Sequence, residues 1–132
     1  MKGAKLYCER IKGDFMYIFK KISATDAENL CRRYSIKFNS ILGEDYFEIL
    51  DNEDNTIGII AYTSENAVTD IDYFEVIKKR NGIGRATIND FILQQKNNSI
   101  SKITLTPLDS AKAFWNEVGF SFVADDKMEK CI

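Results

Sequence analysis

Short stretches with side chains of one kind at every second position recur along the chain, and a two-residue period is typical of β-strands. Near the start, Phe15, Tyr17 and Phe19 share one side of such a stretch, so residues 5–22 are predicted to be extended, with a turn near residue 13. Further strands are predicted at about residues 46–50, 56–63, 68–76, 102–105, 120–123 and 127–132.

Three other segments repeat their hydrophobic residues at helical spacing. In the first, the positions i, i+3, i+4 and i+7 are filled by Ala27, Leu30, Cys31 and Tyr34. Thr25 and Glu28 precede this stripe as a capping box, which predicts the start of that helix. A second helix is predicted from residue 84 to about 96. A third runs from Asp109, a candidate helix cap, to Gly119, a residue that commonly ends helices.

The order of these elements, strands and a helix followed by strands that alternate with helices, predicts an α/β or α+β sandwich around a mixed sheet. At 132 residues the chain has the length of one domain, so we predict a single domain over residues 1–132. The net charge of −2 provides no basic field for nucleic acid, and no apolar run approaches the roughly 20 residues that cross a bilayer.

The chain contains no histidine, which excludes Ser-His and Cys-His nucleophile pairs and any histidine-dependent metal site. Its three cysteines, at positions 8, 31 and 131, include no close pair, so neither a disulfide frame nor a zinc ribbon is expected. We expect no metal. Free cysteines and a start without a signal-peptide pattern favour the cytoplasm.

A basic segment with two glycines lies between the predicted strand at 68–76 and the predicted helix at 84–96. The first N–H groups of a helix have no partner inside the helix, and glycines let an anion approach the backbone closely, so this arrangement favours phosphate binding. An alternative remains open at this point, because Asn81-Gly82 is also a common two-residue turn between paired strands.

Two segments resemble signatures of the GNAT superfamily of N-acetyltransferases. Residues 79–84, Lys-Arg-Asn-Gly-Ile-Gly, resemble the first signature, R/Q-x-x-G-x-G/A. Residues 111–120, Ala-Lys-Ala-Phe-Trp-Asn-Glu-Val-Gly-Phe, resemble the second, A-x-x-F-Y-x-x-x-G-F. They occur in that order, with one helix and one strand predicted between them, and the resemblance covers about residues 68–132. It implies a mixed, mostly antiparallel sheet of six to seven strands with three to four helices, splayed after the fourth strand.

The resemblance also implies acetyl-CoA as the acyl donor and predicts where it binds. Backbone groups of Phe74 and Val76 would hold its pantetheine arm and acyl carbonyl. Trp115 would border its thiol. The diphosphate would lie on a turn made by Lys79, Arg80, Asn81, Gly82, Ile83, Gly84 and Arg85.

Relatives with this fold acetylate amines by direct attack in a ternary complex, so the resemblance implies a general base. Glu75 is our first candidate, on the strand that would face the thioester, and Asp72 and Glu48 follow. The alternative for Glu75 is a solvated strand residue. Trp115 stands where many relatives carry a tyrosine that protonates the leaving thiolate, and an indole N–H cannot act as that acid.

We therefore expect an acetyltransferase acting on a small-molecule or peptide primary amine, with neither nucleic acid nor membrane as partner and with a homodimer left open. A second hypothesis is a catalytically weak acyl-CoA-binding sensor or interaction module. A third is a nucleotide-phosphate binder unrelated to coenzyme A.

Overall fold

The computed structural model describes residues 15–37, 45–79 and 82–132. The strands, in chain order, are β1 (Ile18–Ile22), β2 (Tyr46–Leu50), β3 (Thr56–Glu65), β4 (Val68–Val76), β5 (Lys102–Leu105), β6 (Ser121–Phe122) and β7 (Met128–Cys131). The helices are α1 (Ala24–Arg33), α2 (Ile83–Asn97) and α3 (Lys112–Glu117), the last preceded by a 3-10 turn at Asp109–Ala111. The part of the predicted first strand before residue 15 lies outside the described residues.

The strands form one mixed sheet in the order β1-β2-β3-β4-β5-β7-β6. Within the described ranges every neighbouring pair is antiparallel except β4 and β5, which are parallel. The predicted mixed, mostly antiparallel sheet flanked by helices is confirmed. Over the same ranges no helix is long and apolar enough to cross a membrane.

Strand β3 lies inside the sheet, between β2 and β4, and is covered on both faces. Ile60 belongs to the larger hydrophobic core, which packs under α2 and α3. Its neighbours Ile59 and Ala61 belong to a second core under α1. Because successive side chains point to opposite faces, a strand buried on both sides is a continuous apolar run, which explains the sequence Gly-Ile-Ile-Ala at residues 58–61.

Two predicted helix caps are corrected by the structure. Helix α1 is capped by Ser23, whose hydroxyl accepts the Asp26 N–H at 3.0 Å, two residues before the predicted Thr25. Asp109 makes no capping hydrogen bond, because its carboxylate pairs instead with the Lys112 ammonium at 2.9 Å and the chain first forms a 3-10 turn.

The segment just before β1 is anchored to α2 by the nearly buried Asp90. One oxygen of its carboxylate accepts the backbone N–H groups of Met16, at 3.1 Å, and Tyr17, at 2.9 Å. The Gln94 side-chain amide donates to the Tyr17 carbonyl oxygen at 2.9 Å. Hydrogen bonds to a charged acceptor are stronger than neutral ones, so Asp90 firmly attaches the segment just before β1 to α2.

Strands β4 and β5 pair only over their first four residues, from Val68 opposite Lys102 to Ile71 opposite Leu105. Beyond this point β4 continues to Val76, whereas β5 ends two residues before Pro107, which has no N–H to donate. The β3–β4 register shifts at the same level, so that Asp72 is an extra residue on β4. The predicted splay after the fourth strand is therefore confirmed.

Candidate functional site

A cleft of about 530 Å³ opens where β4 and β5 diverge. Three parts of the chain line it: the end of β4, the start of α2, and α3 with the loop before it. The lining residues are Phe74, Glu75, Val76, Lys79, Gly82, Gly84, Arg85, Leu108, Ser110, Ala111, Phe114, Trp115 and Glu117. The cleft thus brings the two signature segments together, although Gly84 and Ser110 are 26 positions apart in the chain.

One wall of the cleft is the open edge of β4. Just beyond the strand, the Ile77 N–H donates to the Ile57 carbonyl at 2.8 Å, so the backbone of Ile77 points toward β3. Because alternate residues of a strand point their backbone groups to opposite sides, those of Phe74 and Val76 point toward the cleft. In the part of the chain that the structure describes, no strand pairs with this edge beyond Ile71. The edge therefore offers N–H and C=O groups to an extended ligand.

The second wall is the N-terminus of α2. Gly82 precedes it with φ of 80°, a left-handed conformation that glycine adopts without strain. The first hydrogen bond of the helix runs from the Ala86 N–H to the Gly82 carbonyl at 3.1 Å. The N–H groups of residues 83–85 come before that bond, and no backbone carbonyl in the described ranges accepts them. Since a helix begins at Ile83, the alternative of a two-residue turn between paired strands is wrong. Arg80 and Asn81 lie outside the described residues.

Aromatic rings form the third wall. Trp115, only 6 % exposed, contacts the rings of Phe74, Phe114 and Phe120 at centroid separations of 5.9, 5.1 and 5.3 Å. These near-perpendicular arrangements are favourable for aromatic pairs and hold the indole in place. A Cβ added to Gly84 would lie 3.4 Å from Phe114, so the helix N-terminus packs closely against this wall.

Two ion pairs lie within the cleft. The Lys79 ammonium binds the Glu75 carboxylate and also donates to the Val76 carbonyl oxygen at 3.1 Å. Across the cleft, the Arg85 guanidinium at the start of α2 binds Glu117 on α3. Both cations of the described lining therefore have a carboxylate partner.

The face of β4 toward α1 carries a second group of titratable side chains. The Tyr73 hydroxyl donates to the Lys37 carbonyl oxygen at 3.0 Å. Burial, and after it the charge of Glu75, raises the pKa of Tyr73 well above its usual range. The same two causes, in the same order, raise the pKa of the buried Cys31 thiol. Glu75 is thus close to this group as well as to the cleft.

The two other candidate bases lie away from the cleft lining. Asp72 occupies the bulge of β4, and its charge, after burial, raises the pKa of Tyr46 on the α1 side of the sheet. Glu48 lies on β2 and accepts the Thr56 hydroxyl at 2.6 Å. The structure brings only Glu75, of the three carboxylates, to the cleft.

Leu108 and Glu117 also line the cleft, although no pattern in the sequence points to them. Leu108 is 73 % exposed in the loop between β5 and the 3-10 turn, so its position depends on the path of that loop. Glu117 lies two residues after Trp115. Its position at the cleft depends on how α3 packs beside the N-terminus of α2, and the sequence pattern does not specify that packing.

The fold is shared with solved acetyltransferase structures. Tetrahymena GCN5 superposes with a TM-score of 0.65 at 15 % identity, over 87 % of this chain and 96 % of that one. A GNAT-family acetyltransferase from Staphylococcus aureus gives a TM-score of 0.59 at 15 % identity, over 87 % and 98 %. The PaiA N-acetyltransferase of Thermoplasma acidophilum, solved in complex with coenzyme A, gives 0.60 at 14 % identity, over 88 % and 99 %.

No protein-family model matches the chain, and no curated protein sequence matches it either. The structural likeness nevertheless extends over most of the chain and agrees with the splayed sheet described above. The chain has the fold of the GNAT superfamily.

Proposed function

We propose that this protein is an N-acetyltransferase that transfers an acetyl group from acetyl-CoA to a primary amine within a ternary complex. One observation carries the proposal: the open edge of β4 and the N-terminus of α2 face the same cleft, beside an aromatic wall. The shared fold supports it.

The chemistry of the cleft fits the proposed donor. The amide-containing pantetheine arm needs an extended set of backbone donors and acceptors, which Phe74 and Val76 provide. The diphosphate needs N–H donors and positive charge, which residues 82–85 and the helix dipole provide. Among the described residues other than its chain neighbours, no heavy atom lies within 4 Å of the position that a Cβ at Gly82 would take, so the approach to this turn is open on that side. We propose that Lys79, Arg80, Asn81 and Trp115 complete the site.

When bound, acetyl-CoA supplies an activated acyl thioester. The residues of this chain contribute position and charge. A backbone N–H of β4 at Phe74 or Val76 donates to the acyl oxygen, where negative charge increases as the amine nitrogen attacks the acyl carbon. Glu75 accepts the proton that the amine loses as the C–N bond forms and the C–S bond breaks. Because a thiol has a pKa near 8.5, the sulfur can depart as a thiolate without an acid from Trp115.

Release of free thiol from acetyl-CoA in the presence of a panel of primary amines tests the proposal. We expect turnover with at least one amine in the wild type and a large loss in Gly84→Leu, whose side chain would extend from the helix start against Phe114. Asn89→Leu places the same side chain at an exposed position of α2 and serves as the control. Absence of thiol release with every amine would contradict the proposal.

The second candidate is an acyl-CoA-binding module with weak activity or none. It is favoured by the buried Trp115 and by the engagement of Glu75 with Lys79. It predicts tight binding of acetyl-CoA without turnover across the amine panel. Equal thermal stabilisation by ATP, NAD and acetyl-CoA would instead favour a general nucleotide-phosphate binder. An amine acceptor and a cytoplasmic location remain part of the first proposal.

A further inference from the structure

The positive charges that line the cleft are paired with carboxylates of the same lining. Lys79 and Arg85 are the two cations among its described lining residues, and each is bound to a carboxylate of the same lining, Glu75 and Glu117 respectively. An anion that enters the cleft therefore meets cations that already have partners. The anion must either replace the carboxylates as the partner of these cations or bind while both ion pairs stay in place.

The position of Lys79 links an exchange of its ion-pair partner to the proposed general base. Its ammonium turns back along the end of β4, where it contacts the Glu75 carboxylate and the Val76 carbonyl oxygen. An ammonium has three N–H donors, and these two contacts use two of them. Lys79 also lines the same cleft as Gly82 and Gly84, the proposed diphosphate turn. One side chain thus borders both the proposed base and the proposed anion site.

We propose that Lys79 is shared between Glu75 and the diphosphate of the donor, so that donor binding draws the ammonium away and releases the Glu75 carboxylate to accept a proton. This inference rests on the proposed function. Its consequence is that the base becomes available only once the donor is in place. By thermodynamic reciprocity, the negative charge of Glu75 must then weaken donor binding through Lys79.

The exposure of the Lys79–Glu75 pair indicates that its partners can be exchanged at little cost. The side chains of Lys79 and Glu75 are 58 % and 31 % exposed, and ion pairs in contact with water contribute little to stability. A diphosphate carries more negative charge than a single carboxylate and would lie against the N–H groups of α2, so the ammonium gains by moving. Because donor binding must break this exposed ion pair, the pair reduces the affinity for the donor by a factor of about two to five.

The test is a double-mutant cycle on the dissociation constant of coenzyme A, measured by calorimetry. Glu75→Gln should bind about two- to fivefold more tightly than the wild type. Lys79→Met should bind more weakly, and in its background Glu75→Gln should have no effect. Lys79→Arg, which keeps the charge, should restore the effect. Thermal unfolding of each variant verifies that it is folded.

Two controls separate this coupling from a general charge effect. Glu28→Gln removes an exposed i,i+4 partner of Arg32 on α1, with the same change in net charge, and should leave the dissociation constant unchanged. Pantetheine lacks the diphosphate, so its binding should not respond to Glu75→Gln. An equal gain from Glu75→Gln with and without Lys79 would indicate direct repulsion and would overturn the proposal, as would no gain in the wild-type background.

The outcome is distinguishable from failure of the proposed function. Coupled binding without acetylation of any amine would support the sharing of Lys79 and refute the enzyme. Acetylation without coupling would support the enzyme and refute the sharing. A wild-type protein that does not bind coenzyme A would refute both.

Discussion

Gly58 determines how closely β3 and β4 approach at the end of the sheet that lines the cleft. It is buried opposite Val76, and a Cβ at this position would overlap the Glu75 carbonyl oxygen and lie 2.9 Å from the Val76 Cα. Both neighbours are backbone atoms, so no side-chain rotation can relieve the overlap. Gly58→Ala must therefore displace either the end of β4 or β3, the strand on which residue 58 lies.

Inserting a methyl group into such a packed position typically costs about 1–3 kcal/mol. For a chain of this size we expect the midpoint of thermal unfolding to fall by roughly 4 °C per kcal/mol. The displacement reaches Glu75 and Val76, so the affinity for coenzyme A should also fall, by about tenfold for each 1.4 kcal/mol of lost contacts. Differential scanning calorimetry and binding calorimetry measure the two effects.

Ala61→Val is the matched control, because Ala61 is buried on the same strand but packs in the core under α1. It adds volume against side chains, which can adjust, and lies farther along β3 from the cleft. We expect destabilisation with an unchanged dissociation constant for coenzyme A. A Gly58→Ala variant that is as stable as the wild type and binds coenzyme A equally well would contradict this prediction, as would equal weakening of binding by both variants.

Three further predictions concern other parts of the structure. Gly82→Ala causes no steric overlap with other described residues but places an L-residue at φ of 80°. Urea denaturation should therefore show that the free energy of unfolding falls by about 1–2 kcal/mol. Asp90→Ala removes the charged acceptor of the part-buried Met16 N–H and the buried Tyr17 N–H, which should cost about 2–4 kcal/mol and increase hydrogen exchange at Tyr17 before other core amides. Burial, and then Glu75, raises the pKa of Cys31, so the folded state holds this proton more tightly than the unfolded state. The resulting stability is present below the unfolded pKa and is lost as pH rises through the folded pKa. Between pH 7 and 10 the wild type should therefore lose more stability in urea than Cys31→Ala; equal losses would contradict the prediction.

Local patterns predict much of this fold because each acts within a few residues. Alternation indicated the first strand and β5, and the stripe of Ala27, Leu30 and Cys31 lies in the buried face of α1 as expected. The glycine turn was recognisable because Gly82 and Gly84 lie between a predicted strand and a predicted helix. The cap of α1 was misplaced because Ser23 and Thr25 are chemically equivalent as caps. The first turn of the helix decides between them.

The chemistry of the cleft was less predictable, because it depends on which side chains meet across elements. Glu75 is recognisable as a candidate from its strand, but its pairing with Lys79 depends on how the chain leaves β4. Glu117 reaches Arg85 only because α3 lies beside the start of α2. Nothing in the spacing of residues along the sequence specifies that arrangement.

The Asp90 anchor has a consequence for the order in which the chain folds. Asp90 is 74 positions from Met16 and 73 positions from Tyr17 in the chain. The loop that must close is therefore more than half of the protein. The entropy cost of closure grows only slowly with length, but the contact cannot form before α2 exists. During synthesis residues 16 and 17 emerge well before α2 and must wait for it, although β1 can already pair with β2. The segment just before β1 should therefore dock late, as the step that completes an already formed body.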